Sequence, residues 1–270
     1  MTPETLHTTE LGESGSRVVF LHGLFGQGKN WTTIGKALAP EHRVLLVDLP
    51  HHGRSPWSDR WDYREVVDQV AEVLSPEDPV TLVGHSLGGK VAMLLALLRP
   101  ELVERLCVVD MSPVSYGSNP VGGLGRYATA LRSMDLAAVD SREDADRLLA
   151  EEESSPTVRS FLLQNLRRDP GAASGWRWQP NLEVLERDMA QLGEWPDELV
   201  EGAPPYDGPV LWIAGGRSEY VTDEYADAMA RLFPRVRRVT VKQAGHWVHS
   251  EQPEIVVEAL RRFLAQAPAD

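Results

Sequence analysis

A single cysteine, Cys107, stands in the 270 residues, so no intrachain disulfide can form and a reducing compartment is the fitting one. It lies inside a predicted strand, where a small buried hydrophobe is the expected role. Apolar runs of 18 residues are absent, so no membrane-spanning helix is expected. The stretch MTPETLHTTELGESGSR has neither a basic end nor an apolar segment; no secretory signal is expected there, and the expected location is cytoplasmic. Basic charge is scarce as well: 27 Lys and Arg stand against 40 Asp and Glu, a net charge of −13. A nucleic-acid partner is therefore not expected, because phosphate binding draws on Lys and Arg. The acidic run Asp135–Glu153 reads as a solvated helix face. Internal repeats and low-complexity tracts are missing too.

What is present is an ordinary globular composition, 42% hydrophobic and 25% charged, long enough for one large domain or two small ones. Strand-like runs cover Arg17–Leu21, His42–Val47, Val80–Val83, Arg105–Val109, Val210–Ala214 and Val236–Val241. Helix-like runs cover Lys29–Leu38, Tyr63–Leu74, Leu87–Leu98, Thr222–Leu232 and Pro253–Ala265. Such alternation predicts an α/β fold with a mostly parallel sheet and helices on both faces. Several strands are apolar on successive residues, as doubly covered strands are. The rhythm breaks after Ser112. Helical patterns such as VRSFLLQNLRRD and ADRLLAEEE alternate there with turn-rich pieces such as SYGSNPVGGLG, and only Trp176–Trp178 suggests a strand. Residues 112–206 are thus expected to be a helical lid inserted into a core made of 1–111 and 207–270.

The chemistry starts at PVTLVGHSLGGKVAMLLALLRP, Pro79 to Pro100. A strand runs into Gly84-His85-Ser86-Leu87-Gly88 and continues directly as a helix. The bare pattern G-x-S-x-G arises by chance in roughly one chain in ten of this length. A strand before it, a helix after it and small residues at the close approaches make it a nucleophile elbow instead. The helix N-terminus also aims free N–H groups at the serine. Serine needs a base. His246, in VKQAGHWVHSEQP after the last strand, opens on the same sheet edge as the elbow; His249 is the runner-up. His85 sits inside the elbow, placed to pack beside the serine, and His51 and His52 follow another strand toward the same mouth. His246-x-x-His249 has no third ligand and no HExxH pattern, so no metal is expected.

Oxyanion donors are expected in FLHGLFGQG, Phe20–Gly28, which lacks G-x-G-x-x-G spacing for a dinucleotide. The amides of Leu24 and Leu87 form the candidate pair. Two residues compete for the acid. Glu219 lies in WIAGGRSEYVTDE, after the penultimate strand, with Asp223 read as part of a helix's first turn. Asp110 closes the apolar strand RLCVVD, where burial penalises a charge that has no partner. Spacing leaves the two open.

The chain resembles the α/β-hydrolase superfamily, and within it the YbfF-type bacterial esterases and their mitochondrial relative in animals. The resemblance runs through FLHGLFGQGKNW, DLPHHGRS, GHSLGGKVAM, VVDMSPVSY, VRSFLLQNL, WRW, GGRSEYV and AGHWVHSEQP, in that order. It implies that the acid is Asp110, that no cofactor is used, and that small esters or thioesters are cleaved. Ser86 in place of an elbow aspartate separates the chain from epoxide hydrolases and haloalkane dehalogenases.

The function expected is a serine esterase acting on small to medium acyl esters, with a triad of Ser86, His246 and Asp110. A thioesterase, lactonase, perhydrolase or acyltransferase would use the same residues, and a non-catalytic receptor would need none of them. Phe25, His85, Phe161, Leu162, Trp176 and Trp178 are the candidate substrate pocket. The partner expected is a small molecule, and the protein itself a monomer or homodimer.

Overall fold

Alternation of strand-like and helix-like runs becomes a seven-stranded sheet with helices on both faces. The computed structural model describes residues 5–116 and 123–266. Residues 117–122, inside the turn-rich run SYGSNPVGGLG, and the ends of the expected core, 1–4 and 267–270, lie outside the described residues. The strands are β1 (Thr8–Leu11), β2 (Arg17–Leu21), β3 (Arg43–Val47), β4 (Val80–His85), β5 (Val103–Val109), β6 (Leu166–Arg168), β7 (Trp176–Trp178), β8 (Val210–Gly215) and β9 (Val236–Val241). The main sheet has the order β1-β3-β2-β4-β5-β8-β9. Only β1 pairs antiparallel; its neighbour β3 and all later pairs are parallel. β6 and β7 form a separate antiparallel ribbon.

Side-chain alternation explains why these strands are apolar throughout. On β2, Val18 and Phe20 pack into one core with Trp31, Ile34, Leu260 and Phe263, while Val19 and Leu21 pack into the other. The first core lies under α1 (Thr32–Leu38) and α12 (Pro253–Leu264). The second lies under α2 (Tyr63–Ala71) and α3 (Leu87–Leu98). Every residue of α3 from Leu87 to Leu97 is buried, which at about 1.5–3 kcal/mol per large apolar side chain makes it the central packing element. Edge strand β9 exposes Arg237 and Arg238, charges that discourage pairing with another chain.

Between β5 and β8 stand six short helices, α4 (Leu124–Ser133), α5 (Arg142–Leu149), α6 (Pro156–Leu163), α7 (Leu182–Arg187), α8 (Met189–Gly193) and α9 (Asp197–Val200), with the β6–β7 ribbon among them. α10 (Ala226–Leu232) and α11 (Val248–Glu251) complete the count among the described residues. The sequence reading misses β1 and β6. Both are short and polar, TTEL and LRR, and carry too few apolar residues to show a period.

Among the described residues four non-glycine residues have positive φ: Phe25 (59°), His51 (65°), Ser86 (52°) and Asp110 (51°). Each follows the C-terminal end of one of the parallel strands β2, β3, β4 and β5. Such backbone costs about 1–3 kcal/mol per residue and gathers where function requires it. At the elbow, a Cβ on Gly84 would fall 2.2 Å from the Gly88 carbonyl oxygen, and one on Gly88 would fall 2.5 Å from that of His22. Gly84→Ala is therefore expected to destabilise by more than about 3 kcal/mol, a fall of roughly 6–12 °C in melting temperature by calorimetry. An unchanged melting temperature would mean that the elbow relaxes.

Candidate active site

The loops at the C-terminal sheet edge bring Ser86, His246 and Asp110 into one line. Ser86 sits between β4 and α3 with φ 52° and ψ −119°, and its side chain is pushed out of the sheet. Its Oγ lies 3.0 Å from His246 Nε2. Nδ1 of the same ring lies 2.8 Å from Asp110 Oδ2. A carboxylate only accepts, so the Nδ1 proton faces Asp110 and Nε2 is left to accept from the Ser86 hydroxyl.

Asp110 is fully buried and its charge is compensated. Oδ1 accepts from the Gly215 amide at 2.8 Å, and Oδ2 accepts from the Ser218 hydroxyl as well as from His246. Glu219 is exposed, and among the described residues Asp110 is the carboxylate at hydrogen-bond distance from the His246 ring. The imidazole is held from the sides: Tyr220 stacks on it at 4.0 Å between ring centres, and the Tyr220 carbonyl in turn accepts from Ser112 and Tyr116 hydroxyls at 2.7 Å each.

His85 and His249 do not reach the serine. His85 Nε2 donates to the His246 carbonyl at 2.8 Å, and its ring lies 4.4 Å from that of His249, which itself stacks on Trp31. Burial holds the His85 pKa well below the ordinary histidine value and pulls His249 down to about 3. His22 accepts from the Leu49 amide at Nε2 (2.9 Å), so its Nδ1 donates to the Gly23 carbonyl (2.8 Å). Burial lowers its pKa to about 4.

Leu24 and Leu87 flank Ser86. Leu87 opens α3, where the amide has no intrahelical acceptor. Among the described residues neither amide donates a backbone hydrogen bond. Two crevices meet at Ser86, each bordered by Leu24 and Leu124. One, narrow, is also lined by His85, Phe161, His246 and Trp247. The other, also narrow, is apolar and lined by Leu87, Met111, Met189 and Leu192, with Lys90 among them. Lys90 is fully buried, its Nζ donating to the Gly193 and Glu194 carbonyls at 2.6 Å each; burial pulls its pKa down to about 7.

Of the expected pocket residues, His85 and Phe161 line the first crevice. Phe25, Leu162, Trp176 and Trp178 line neither. Phe25 and Leu162 are wholly buried in the core. Trp176 lies beneath the Arg168 guanidinium at 3.8 Å, in the β6–β7 ribbon, and Trp178 belongs to the same ribbon. Met111, Leu124, Met189, Leu192 and Trp247 take the places at the serine. Trp247 could have been suspected as the neighbour of His246; the rest lie in segments whose inward face no period reveals.

The family model described as the alpha/beta hydrolase fold matches residues 16–253. The chain belongs to the α/β-hydrolase fold family. It is similar to the mouse sn-1-specific diacylglycerol lipase ABHD11, 40% identical over 257 residues that cover 92% of this chain and 80% of the mouse protein. Esterase YbfF of Escherichia coli is 30% identical over 95% of this chain and 96% of its own length. Among solved structures, a marine microorganism esterase superposes with a TM-score of 0.89 at 30% identity, covering 96% of this chain and 99% of the other. No helix among the described residues is long and apolar enough to cross a membrane.

Proposed function

We propose that this protein, a carboxylic ester hydrolase by family, cleaves small to medium acyl esters through an acyl-enzyme on Ser86. The observation that carries the reading is the unbroken chain of hydrogen-bond distances from Asp110 through His246 to Ser86, 2.8 and 3.0 Å. In this reading Ser86 Oγ attacks the ester carbonyl as His246 Nε2 takes its proton. Asp110 holds the ring and supports the imidazolium. The Leu24 and Leu87 amides stabilise the oxyanion, a contribution worth about 10²–10³ in rate per donor. Protonated His246 then releases the alcohol, and water repeats the steps on the acyl-enzyme. Residues 112–206 act as a lid over the core formed by 1–111 and 207–270, and the apolar crevice beside Leu87 receives the acyl group.

A fluorophosphonate probe is expected to label the wild type and to spare Ser86→Ala. Failure to label the wild type would favour a non-catalytic receptor on this scaffold. A panel of p-nitrophenyl esters is expected to show the highest kcat/KM on short chains, because both crevices at Ser86 are narrow, and a large fall for palmitate. Acyl-CoA thioesters, and the same esters with peroxide or an added alcohol, separate ester hydrolysis from thioesterase, perhydrolase and acyltransferase chemistry.

A further inference from the structure

The segment VRSFLLQNL contributes Phe161 to a crevice, yet its most constrained residue is Asn165. Asn165 is fully buried and its carboxamide is bonded at both its nitrogen and its oxygen. Nδ2 donates to the Phe25 carbonyl at 2.8 Å and to the Leu162 carbonyl at 3.2 Å, while Oδ1 accepts from Gln27 Nε2 at 2.6 Å. With two carbonyls on the nitrogen and an amide N–H on the oxygen, its orientation is unambiguous. Phe25 is the residue with φ 59° that follows Leu24. The Gly26 amide donates to the Gly23 carbonyl at 2.9 Å, so Leu24 and Phe25 are the central pair of a β-turn whose second position ordinarily favours glycine. A bulky side chain there needs outside support, and Asn165 supplies it at the Phe25 carbonyl.

Neighbouring residues grip the same loop. Asn30 Nδ2 donates to Gln164 Oε1 at 3.0 Å. Arg167 donates from Nη2 to Gln27 Oε1 at 3.2 Å and from Nε to Gln179 Oε1 at 2.7 Å. The α6–β6 junction thus holds the loop 23–30 through three side chains.

We infer that Asn165 is a positioning residue of the oxyanion site: its carboxamide fixes the turn that presents the Leu24 amide to the developing oxyanion. The inference rests on the proposed role of Leu24. It makes the insertion a structural part of the site, because the turn keeps its geometry only while α6 and β6 are docked. A turn displaced by about 1 Å costs on the order of 10²-fold in rate without loss of substrate contacts.

The test is Asn165→Asp, which keeps the shape and places an oxygen against the Phe25 carbonyl. It is measured on a p-nitrophenyl ester, with active sites titrated by fluorophosphonate. Expected are a fall of on the order of 10²-fold in kcat per titrated site, KM within about threefold, and a trifluoromethyl ketone affinity that falls with kcat/KM. Gln27→Leu, which removes the partner of Oδ1, is expected to show the same pattern more weakly, and it carries the test if Asn165→Asp does not fold. A merely structural role would lower the melting temperature and the fraction of titratable sites with kcat per site unchanged; that result overturns the inference. Its failure stays distinct from failure of the esterase reading, which would show as absent Ser86-dependent hydrolysis in the wild type.

Discussion

Asp110→Asn is expected to lower kcat on a p-nitrophenyl ester by about 10³–10⁴-fold with the fold intact. An asparagine there has two ways to lie, and both fail. With its oxygen toward the Gly215 amide, as Asp110 Oδ1 lies at 2.8 Å, its NH₂ faces His246 Nδ1. The ring must then carry its proton on Nε2, which can no longer take the Ser86 proton. With the amide reversed, its NH₂ meets the Gly215 N–H in a fully buried site, two donors without an acceptor. Measured per fluorophosphonate-titrated site, the loss separates chemistry from unfolding. Glu219→Gln alters an exposed side chain and is expected to leave kcat within about threefold, within the small effects usual for surface changes. If Glu219→Gln were the crippling change and Asp110→Asn the harmless one, the proposed triad would have the wrong acid.

The contrast between these two carboxylates also shows what a sequence makes legible. The elbow is local: strand, serine and helix lie within the run from Val80 to Leu98, and each step obeys a short-range rule. His246 is readable because parallel strands place all their following loops on one edge. The acid is not local. Asp110 and Glu219 both follow strands on that edge, and choosing between them needs to know which loop closes over the imidazole. The structure puts Tyr220, not Glu219, against the ring. The sheet was legible for the same reason as the elbow, since its buried strands are long and apolar. The polar strands β1 and β6 were not, because their pairing comes from contacts across the chain rather than from a period. Pocket residues were the least legible. Leu124 and Met189 reach the serine and Trp176 does not, an outcome decided by how short helices dock, which propensity does not encode.

Acid is expected to unfold the protein well before its paired carboxylates protonate. Five histidines are buried among the described residues: His22, His51, His52, His85 and His249, and burial lowers the pKa of His51 as well. Burial disfavours their charged forms, pulling His22 to about 4, His52 and His249 to about 3, and His85 well below the ordinary value. Unfolded, each takes up a proton near pH 6.5. Between that pH and the folded values the unfolded state holds more protons, so the histidines' contribution is full well above 6.5 and falls as pH drops through the window. Each histidine contributes a slope of up to about 1.4 kcal/mol per pH unit. Acting in the same direction they steepen the loss of stability below pH 6.5, against a total of about 5–15 kcal/mol for a typical domain. Asp188, whose carboxylate the Arg187 guanidinium holds below the ordinary value, adds its loss only at lower pH. Urea midpoints at pH 8, 6.5 and 5.5 are expected to fall across both intervals: over the first through buried Lys90, whose folded pKa of about 7 lies below its unfolded value, and more steeply over the second as the histidines take over. His249→Gln, which removes one titrating ring, should lessen that slope by about 1.4 kcal/mol per pH unit. A midpoint flat from pH 8 to 5.5 would mean that these rings accept protons in the folded state, and the neutral histidine wall around Ser86 would have to be abandoned.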